Sequence, residues 1–371
     1  MPCYSLIAAC CTAAPSLLLA QASAPPSAPT DTTPRITVGA FIDGYYAYDF
    51  NRPAGFDRPF TTQPARHNEF NVNLAFVEAK IDAPHYRGRL ALQAGTSVQS
   101  NYANEPRNGA VSGPELSRLI QEAVVGVKLA DNLWVDGGIF FSHIGMEGFV
   151  SRDNPIYTRS MVADYSPYYQ SGAKLTWQAT PIITAQLDIV NGWQIISESN
   201  AAKSFGIRVD IAPSSTTTFS YYNYLGNDAP DSAARGQIRV YNGVGMKMIL
   251  TSDFQVLAEA DYGTQRRAKG SGSASWYGGM IIGRYQTSTK TALIARLEQY
   301  QDSEQVIVVT GRPDGLRANG ASLGLDVAPA PRVVWRTELR GYQGETAVFP
   351  RSSSRLSRND AFVVTSLSLT F

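Results

Sequence analysis

Residues 362–371, at the end of the sequence, read FVVTSLSLTF. Their side chains alternate, with Val363, Leu367, Leu369 and Phe371 on one face of an extended chain. This alternation predicts a strand with one apolar face. A sheet ending on such a strand has an open edge unless the last strand pairs with the first and closes a barrel. A soluble sandwich can also end on a strand, so this segment alone leaves two folds open.

The amino-acid composition bears on the choice between a soluble sandwich and a barrel. The chain has 371 residues and 44% hydrophobic content, yet its apolar residues rarely run together. Beyond the first 24 residues no stretch approaches the roughly 20 consecutive apolar residues that a transmembrane helix requires. The 32 basic and 31 acidic residues nearly cancel. Without a bulk positive field, nucleic acid is not an expected partner.

The first 24 residues predict a secretory signal peptide, cleaved after Ala24, although no Lys or Arg precedes its apolar core. A lipoprotein cleavage box at residues 7–10 is the alternative. Residues 25–35, rich in Pro, Ala and Thr, predict a flexible periplasmic leader. All three cysteines lie in the signal segment: Cys3, Cys10 and Cys11. A mature chain without cysteine excludes thiol catalysis and a disulfide framework.

Residues 36–371 divide into sixteen segments of about 10 to 17 residues with period-two patterning, long enough for tilted strands to cross a bilayer. Residues 87–102 form one clear example, whereas a phase change within residues 69–83 indicates a bulge. Connections after even-numbered segments are short, and those after odd-numbered segments are mostly longer. The fold class predicted is therefore all-β: a transmembrane, antiparallel, up-and-down β-barrel of about sixteen strands, with short periplasmic turns and long extracellular loops.

Aromatic residues near the strand ends are expected to form two girdles at the headgroup levels of the membrane. The candidates on the loop side are Tyr46, Tyr48, Tyr102, Phe141, Trp193, Tyr224, Tyr262, Tyr300 and Tyr342. The candidates on the turn side are Trp134, Trp177, Phe254, Trp335 and Phe371.

Five segments resemble the OmpL-like outer-membrane β-barrel porin family of Gram-negative bacteria. They are residues 68–79 (NEFNVNLAFVEA), 87–101 (RGRLALQAGTSVQSN), 133–147 (LWVDGGIFFSHIGME), 151–172 (SRDNPIYTRSMVADYSPYYQSG) and 190–194 (VNGWQ). The resemblance covers most of the mature chain and is sharpest between residues 40 and 195. It implies a passive outer-membrane channel, and it carries over no catalytic or substrate-binding residues.

A barrel of about sixteen strands is wide enough to enclose water, so its inward-facing charges matter. The predicted inward bases are Arg87, Arg89, Lys128, Lys174, Arg208, Arg239, Lys247, Arg284, Arg296, Arg336 and Arg340. The predicted inward acids are Asp43, Asp136, Asp188, Asp210, Glu259, Asp261, Glu298, Asp326 and Glu338. Eleven against nine is near balance, and the wall alone predicts no strong ion preference.

The longest predicted loop, Gly145–Pro167, is the third on the loop side. By similarity to classical porins, whose third loop folds into the lumen, it is expected to narrow the pore. The residues expected to line this constriction are Glu147, Arg152, Asp153, Arg159 and Asp164 on the loop, and Arg87, Arg89, Arg336 and Arg340 on the wall. Opposed charges across a wet passage would orient dipolar solutes. A solvated surface loop with ordinary ion pairs is the alternative.

Enzymatic barrels exist, but the candidate residues do not support catalysis. Ser142 and His143 are neighbours in a predicted strand and point to opposite faces, so they cannot act as nucleophile and base. His67 and His85 lie in a loop and a turn, and the acidic residues show no defined metal spacing. No cofactor or metal is expected. A structural or adhesive barrel with a plugged lumen remains the main alternative to a channel.

The prediction for function is an integral protein of the bacterial outer membrane, a porin that admits small hydrophilic solutes passively. Its expected partners are outer-membrane lipid, those solutes, and the barrel assembly machinery, to which the terminal Phe371 would act as a signal. A homotrimer is expected only by analogy with classical porins of this size.

Overall fold

The sheet closes where its first strand meets its last. The strand β1 (Arg35–Asp49) pairs antiparallel with β18 (Asn359–Thr370), in a register that sets Phe41 opposite Thr370 and Tyr48 opposite Val363. The backbone N–H of Phe371 donates to the carbonyl oxygen of Ala40 at 2.9 Å. The pairing satisfies the edge groups of both strands, and the predicted closed barrel is confirmed.

A computed structural model describes residues 33–233, 235–352 and 355–371. Sixteen strands form the barrel, and each pairs antiparallel with its neighbours along the chain. Besides β1 and β18, they are β2 Phe70–Asp82, β3 Tyr86–Ala94, β4 Ile120–Ala130, β5 Leu133–Phe141, β6 Tyr169–Thr180, β7 Ile183–Val190, β8 Ser204–Ser214, β9 Thr217–Asn227, β10 Ile238–Ile249, β11 Phe254–Arg266, β12 Ser273–Gln286, β13 Thr291–Asp302, β14 Leu316–Ala330 and β15 Val333–Gly344.

The remaining elements lie in the connections. Two short strands, β16 (Phe349–Pro350) and β17 (Leu356–Ser357), pair with each other in the last loop. The helices are α1 Thr96–Asn101, α2 Pro114–Ser117 and α3 Met161–Asp164, with a 3-10 turn at Ser151–Asp153. None of the described helices is long and apolar enough to span a membrane. The predicted signal peptide and the leader up to residue 32 lie outside the described residues.

Connections alternate in length around the barrel, as predicted. Those on one side have two to four residues, whereas those on the other have six to 27. The longest is residues 142–168, between β5 and β6, and is called loop 3 below. Three turns begin about two residues later than expected, at residues 181, 215 and 331, because the preceding residues still pair in the ladder.

The predicted strand at residues 87–102 is only half correct. The strand β3 ends at Ala94, and residues 96–101 turn inward as α1. Gly95 makes the turn with a φ of +139°, a conformation that favours glycine. The hydroxyl of Ser97 then donates to the carbonyl oxygen of Asn73 at 2.6 Å. Val98, expected on the apolar outer face, is buried inside the barrel.

The predicted bulge in β2 is confirmed and lies at Asn73. Asp43 pairs with Leu74, and the next residue of β1, Gly44, pairs with Val72, so Asn73 is the extra residue. Phe70 and Val72 therefore face outward, whereas Leu74 is buried inside. The side-chain amide of Asn73 donates to the Asp43 carboxylate at 3.0 Å.

The aromatic girdles differ in part from the prediction. Among the predicted members, four tyrosines turn into the barrel and are buried: Tyr102, Tyr224, Tyr300 and Tyr342. Side chains that do face outward on the turn side include Trp177, Tyr285, Trp335 and Phe371, and those on the loop side include Phe70, Tyr262 and Tyr277. Sequence distance from a loop gives the height of a ring in the wall, but the local phase of the strand decides its face.

Replacing Gly95 with alanine should destabilise the barrel, because the new Cβ would lie 2.3 Å from the carbonyl oxygen of Asn73. We expect the free energy of unfolding to fall by about 2 to 3 kcal/mol. Urea unfolding of the detergent-solubilised protein, followed by tryptophan fluorescence, measures it. Gly148→Ala is the matched control, since a Cβ there meets no atom within 4 Å. Equal midpoints for the two variants would contradict this account of the turn.

Candidate functional site

Loop 3 lies inside the barrel, where β13 and β15 hold its middle. The backbone N–H and the hydroxyl of Thr158 both donate to the Glu338 carboxylate at 2.8 Å. Arg296 donates to the carbonyl oxygen of Thr158 at 2.7 Å, and Arg340 donates to that of Arg159 at 2.6 Å. The side chains of Arg296, Glu338 and Arg340 are completely buried. Charge-assisted hydrogen bonds of this kind fix a loop firmly.

Further arginines hold the first half of loop 3. Arg336 donates to the carbonyl oxygens of Ser151, at 2.7 Å, and Asn154, at 3.1 Å. Arg284 of β12 donates to the carbonyl oxygen of Pro155 at 3.0 Å. Backbone carbonyls of an irregular loop need donors when they are buried, and the wall supplies them.

Contacts with other strands complete the attachment. On β1, Asp43 accepts hydrogen bonds from Ser151 at 2.8 Å and Tyr157 at 3.1 Å. On β8, Arg208 donates to the carbonyl oxygens of His143 and Gly145, both at 2.9 Å. Loop 3 is therefore bound to the wall on several sides of the lumen.

Apolar contacts explain why β12 carries apolar residues on both faces. Its inner residues Met280 and Ile282 are buried in one cluster with Ile156, Met161 and Val162 of loop 3. A Cβ added at Gly278 of β12 would lie 2.6 Å from Val162, so the loop reaches the wall at that point. The inner face of this strand meets protein instead of water.

Arg159, predicted to line the constriction, is buried inside the folded loop. Its guanidinium donates to the carbonyl oxygens of Gly148 at 2.6 Å, Tyr157 at 2.9 Å and Phe149, and to the side chain of Gln63 at 2.9 Å. Its side chain therefore holds loop 3 in shape and joins it to the first loop.

Glu147 and Asp164, two other predicted site residues, are also largely buried. Glu147 accepts the backbone N–H of Ser160 at 2.9 Å. Asp164 accepts the hydroxyls of Thr62 at 2.6 Å and Tyr168 at 3.1 Å. Burial raises the pKa of Asp164 to about 6, and the two hydrogen bonds and nearby arginines oppose that rise.

Arg152 and Asp153 keep part of their surface in water. Their side chains are 21% and 24% exposed. The Arg152 guanidinium lies over the rings of Phe41 at 5.2 Å and Phe76 at 5.5 Å, a cation–π arrangement on β1 and β2. These two residues form the hydrated part of loop 3.

Arg87 and Arg89 lie on β3, on the side of the barrel away from β13 and β15. Arg87 forms a two-bond ion pair with Asp136 of β5 and stacks over Trp134 at 4.5 Å. Arg89 pairs with Glu78 of β2. Both guanidinium groups remain partly exposed to the interior.

Two cavities lie on opposite sides of loop 3. One of about 220 Å³ lies between the loop and β2, β3, β7 and β8, and is lined by Lys80, Arg89, Gln186 and Arg208 of the wall. The other, of about 370 Å³, lies among the outer loops beside Asp164. Residues of loop 3 line both, and no residue lines the two together.

The histidine considered as a catalytic base is a structural residue. One ring nitrogen of His143 bonds the side chain of Gln170 at 3.0 Å, and the other bonds the carbonyl oxygen of Asn223 at 2.7 Å. The hydroxyl of Ser142 accepts the backbone N–H of Ile144. Within residues 33–233, 235–352 and 355–371, no three His, Cys, Asp or Glu side chains are grouped to hold a metal ion.

Residues 35–371 match the family model described as "Putative beta-barrel porin-2, OmpL-like". The chain belongs to this family of porins. Family and fold are those of integral proteins of the outer membrane. No curated protein sequence gives a significant match to this porin.

Solved porin structures share the fold of this OmpL-like porin at low sequence identity. The anion-selective porin from Comamonas acidovorans is 9% identical, with a TM-score of 0.59, covering 91% of this chain and 100% of its own. OmpF from Salmonella typhi is 13% identical, with a TM-score of 0.59 and coverages of 91% and 97%. A trimer form of OmpT from Vibrio cholerae is 9% identical, with a TM-score of 0.58 and coverages of 91% and 99%.

The sequence did not indicate how the porin wall binds loop 3. Arg296, Glu298 and Glu338 were predicted to face inward, but not as partners of Thr158 and its neighbours. One pattern in the sequence does indicate these buried ion pairs: small residues of β14 lie between the charged positions of β13 and β15. A Cβ at Gly320 would lie 2.7 Å from Glu298, so the glycine leaves space for the buried ion pairs.

Replacing Arg159 with alanine should loosen loop 3, because several buried carbonyl oxygens would lose their donor. We expect the free energy of unfolding to fall by about 3 kcal/mol or more, and loop 3 to become sensitive to added protease. Arg152→Ala is the control on the same loop, since its side chain is partly exposed, and it should leave protease resistance unchanged. Equal resistance in both variants would contradict the structural role of Arg159.

Stability should depend on pH through Asp164. The folded protein holds this proton more tightly than the unfolded chain, where an aspartate has a pKa of about 3.9. The free energy of unfolding should therefore decrease as pH rises from about 4 to about 6, and then remain lower. Asp164→Asn should make that slope smaller and stabilise the protein at pH 7 by roughly 2 kcal/mol.

Urea unfolding at a series of pH values measures the Asp164 effect. Asp57→Asn is the control, because this carboxylate lies in the first loop with 80% of its side chain exposed. It should keep the wild-type slope, whereas a wild-type slope in Asp164→Asn would show that another group is responsible.

Proposed function

We propose that the protein is a porin whose lumen admits small hydrophilic solutes by passive diffusion, and that loop 3 constricts this lumen. The observation that carries the proposal is the asymmetric position of the loop. Most of the buried contacts of loop 3 are with β11 to β15, with further hydrogen bonds to Asp43 of β1 and Arg208 of β8. On the wall from β2 to β8, by contrast, basic side chains such as Arg87 and Arg89 keep part of their surface exposed. A hydrated, charged wall suits the passage of polar solutes.

The exposed fractions of the charged side chains support a division of the barrel wall into a side that loop 3 covers and a side that it leaves uncovered. The side chains of Arg296 and Arg340 are 0% exposed, whereas those of Arg87 and Lys80 are 28% and 42% exposed. Charged groups of the same barrel thus differ according to whether loop 3 covers them. The proposed passage runs along the uncovered side.

The two cavities suit a path past the loop. A solute would enter the outer cavity beside Asp164, pass the hydrated edge of loop 3, and reach the cavity lined by Arg89 and Arg208. Arg152 and Asp153 line this second cavity. Opposite charges there would orient a dipolar solute, as in other wet constrictions.

The nine residues predicted for the constriction have two roles in this proposal. Arg87, Arg89, Arg152 and Asp153 would contact the passing solute, because their side chains are partly exposed. The remaining residues would set the position of loop 3 through buried contacts. They are Glu147, Arg159, Asp164, Arg336 and Arg340.

A barrel with a filled lumen is the second candidate function, and one observation favours it. The largest fully buried side chains include Arg159, Arg296 and Arg340, all at the contact between loop 3 and the wall. If the uncovered side were too narrow for solutes, the protein would serve as a structural or adhesive barrel.

Assembly and membrane insertion belong to the same proposal. The side chain of Phe371 is 55% exposed on the outer surface, where it would contact lipid and be available to the barrel assembly machinery. A homotrimer is proposed by likeness to the trimer form of OmpT from Vibrio cholerae. Chemical crosslinking of the protein in native membranes would give its subunit number.

Liposome swelling tests the porin function. Vesicles containing the purified protein should swell in isotonic solutions of small sugars and amino acids, at rates that fall with solute size. Vesicles prepared with heat-denatured protein give the control. Swelling no faster than this control, for even the smallest solute, would reject the channel in favour of the filled barrel.

A further inference from the structure

Three ion pairs on strands β2 to β5 are oriented, with the cation toward water. Arg87 is 28% exposed whereas its partner Asp136 is 3% exposed. Arg89 is 18% exposed whereas Glu122, which it also contacts, is 5% exposed. Lys80 is 42% exposed and its partner Glu78 is 11% exposed. In each pair the carboxylate lies behind the basic group, so a solute meets the base first.

The same bias holds among the inward charges predicted from the sequence. Of the eleven basic residues predicted to face inward, five are buried and six are not. Of the nine acidic residues, eight are buried, and Asp210 is the exception. The six bases still in contact with water are Arg87, Arg89, Lys128, Lys174, Arg208 and Lys247. The near balance of the sequence thus becomes a basic water-facing surface.

Several basic groups meet in the cavity of about 220 Å³ beneath loop 3, called the basic cavity. Lys80, Arg89 and Arg208 line it from the wall, and Arg152 lines it from the loop. Two carboxylates of loop 3 also line it. Glu147 is turned toward the backbone of Ser160, and Asp153 lies beside Arg152.

We propose that the basic cavity binds small oxyanions, and that the pore therefore conducts anions in preference to cations. The proposal rests on the porin function and names its solute class. Carboxylate and phosphate oxygens accept hydrogen bonds from guanidinium and ammonium groups, which the cavity supplies from two sides. A cation in the same place would meet few hydrated carboxylates.

The binding is expected to be weak enough for release. Arg89 and Arg208 are already paired, with Glu78 and with Asp210. An arriving oxyanion therefore adds to existing pairs instead of neutralising free charges. Partial neutralisation of this kind suits conduction, which requires both entry and exit.

Reversal potentials across planar bilayers measure the ion preference. In a gradient of KCl, the wild-type channel should favour chloride over potassium by roughly two- to five-fold, because salt screens the field only partly in a narrow passage. The double variant Lys80→Gln with Arg152→Gln should lose most of that preference. Lys269→Gln is the control, since Lys269 lies exposed in the loop after β11. It should behave as the wild type.

Titration calorimetry of the purified protein in detergent measures binding without conduction. Inorganic phosphate and succinate are the two probes, and they separate a phosphate site from a carboxylate site. Either probe should bind the wild type and bind the double variant at least about ten-fold more weakly.

The outcomes separate the two proposals. A channel that conducts but prefers potassium, or shows no preference, overturns the oxyanion inference and leaves the porin function standing. Absence of conduction overturns the porin function. In that case the titration alone tests whether the basic cavity binds oxyanions. If neither probe binds, or if the double variant binds as tightly as the wild type, the oxyanion inference is overturned.

Discussion

The structure depends on the need of every backbone N–H and C=O group in a bilayer to find a partner within the protein. Pairing of β1 with β18 meets this need at the last open edge of the sheet. Once the sheet is closed, its strands have one face toward lipid and one toward the interior. Exposed leucines such as Leu293 and Leu367 lie on the outer face, and charged residues lie on the inner face.

Inside the barrel, the charged residues serve two purposes, and loop 3 divides them. Against β13 and β15 the ions are buried and hold the backbone of Thr158 and its neighbours. Buried charges are costly unless they are paired and hydrogen-bonded, and here each has several partners. On β2 to β8 the basic groups remain partly exposed, whereas the acidic groups Glu122, Asp136 and Asp188 are buried. Charged residues thus hold loop 3 in place on β13 and β15, and on β2 to β8 they form a charged wall of the lumen.

Much of the fold could be predicted from local patterning. The strand count, the alternation of short and long connections, the bulge in β2 and the position of the longest loop followed from period-two patterns. The change from β3 to α1 could not, because residues 96–101 continue an alternating pattern by coincidence. The prediction that Tyr224 and Tyr300 belong to the aromatic girdle was wrong for a related reason, since both are near strand ends but face inward.

Local patterning was enough to predict the closed barrel, since alternation and a final apolar strand are local properties and a bilayer requires every strand edge to be paired. It also placed Arg159, Arg336 and Arg340 in the interior. Which of the interior charges touch water could be seen only in the folded barrel, because loop 3 meets strands more than a hundred residues away in the chain. Eleven bases and nine acids, nearly balanced in the sequence, become a mostly basic surface of the lumen, since burial depends on contacts that no single segment contains.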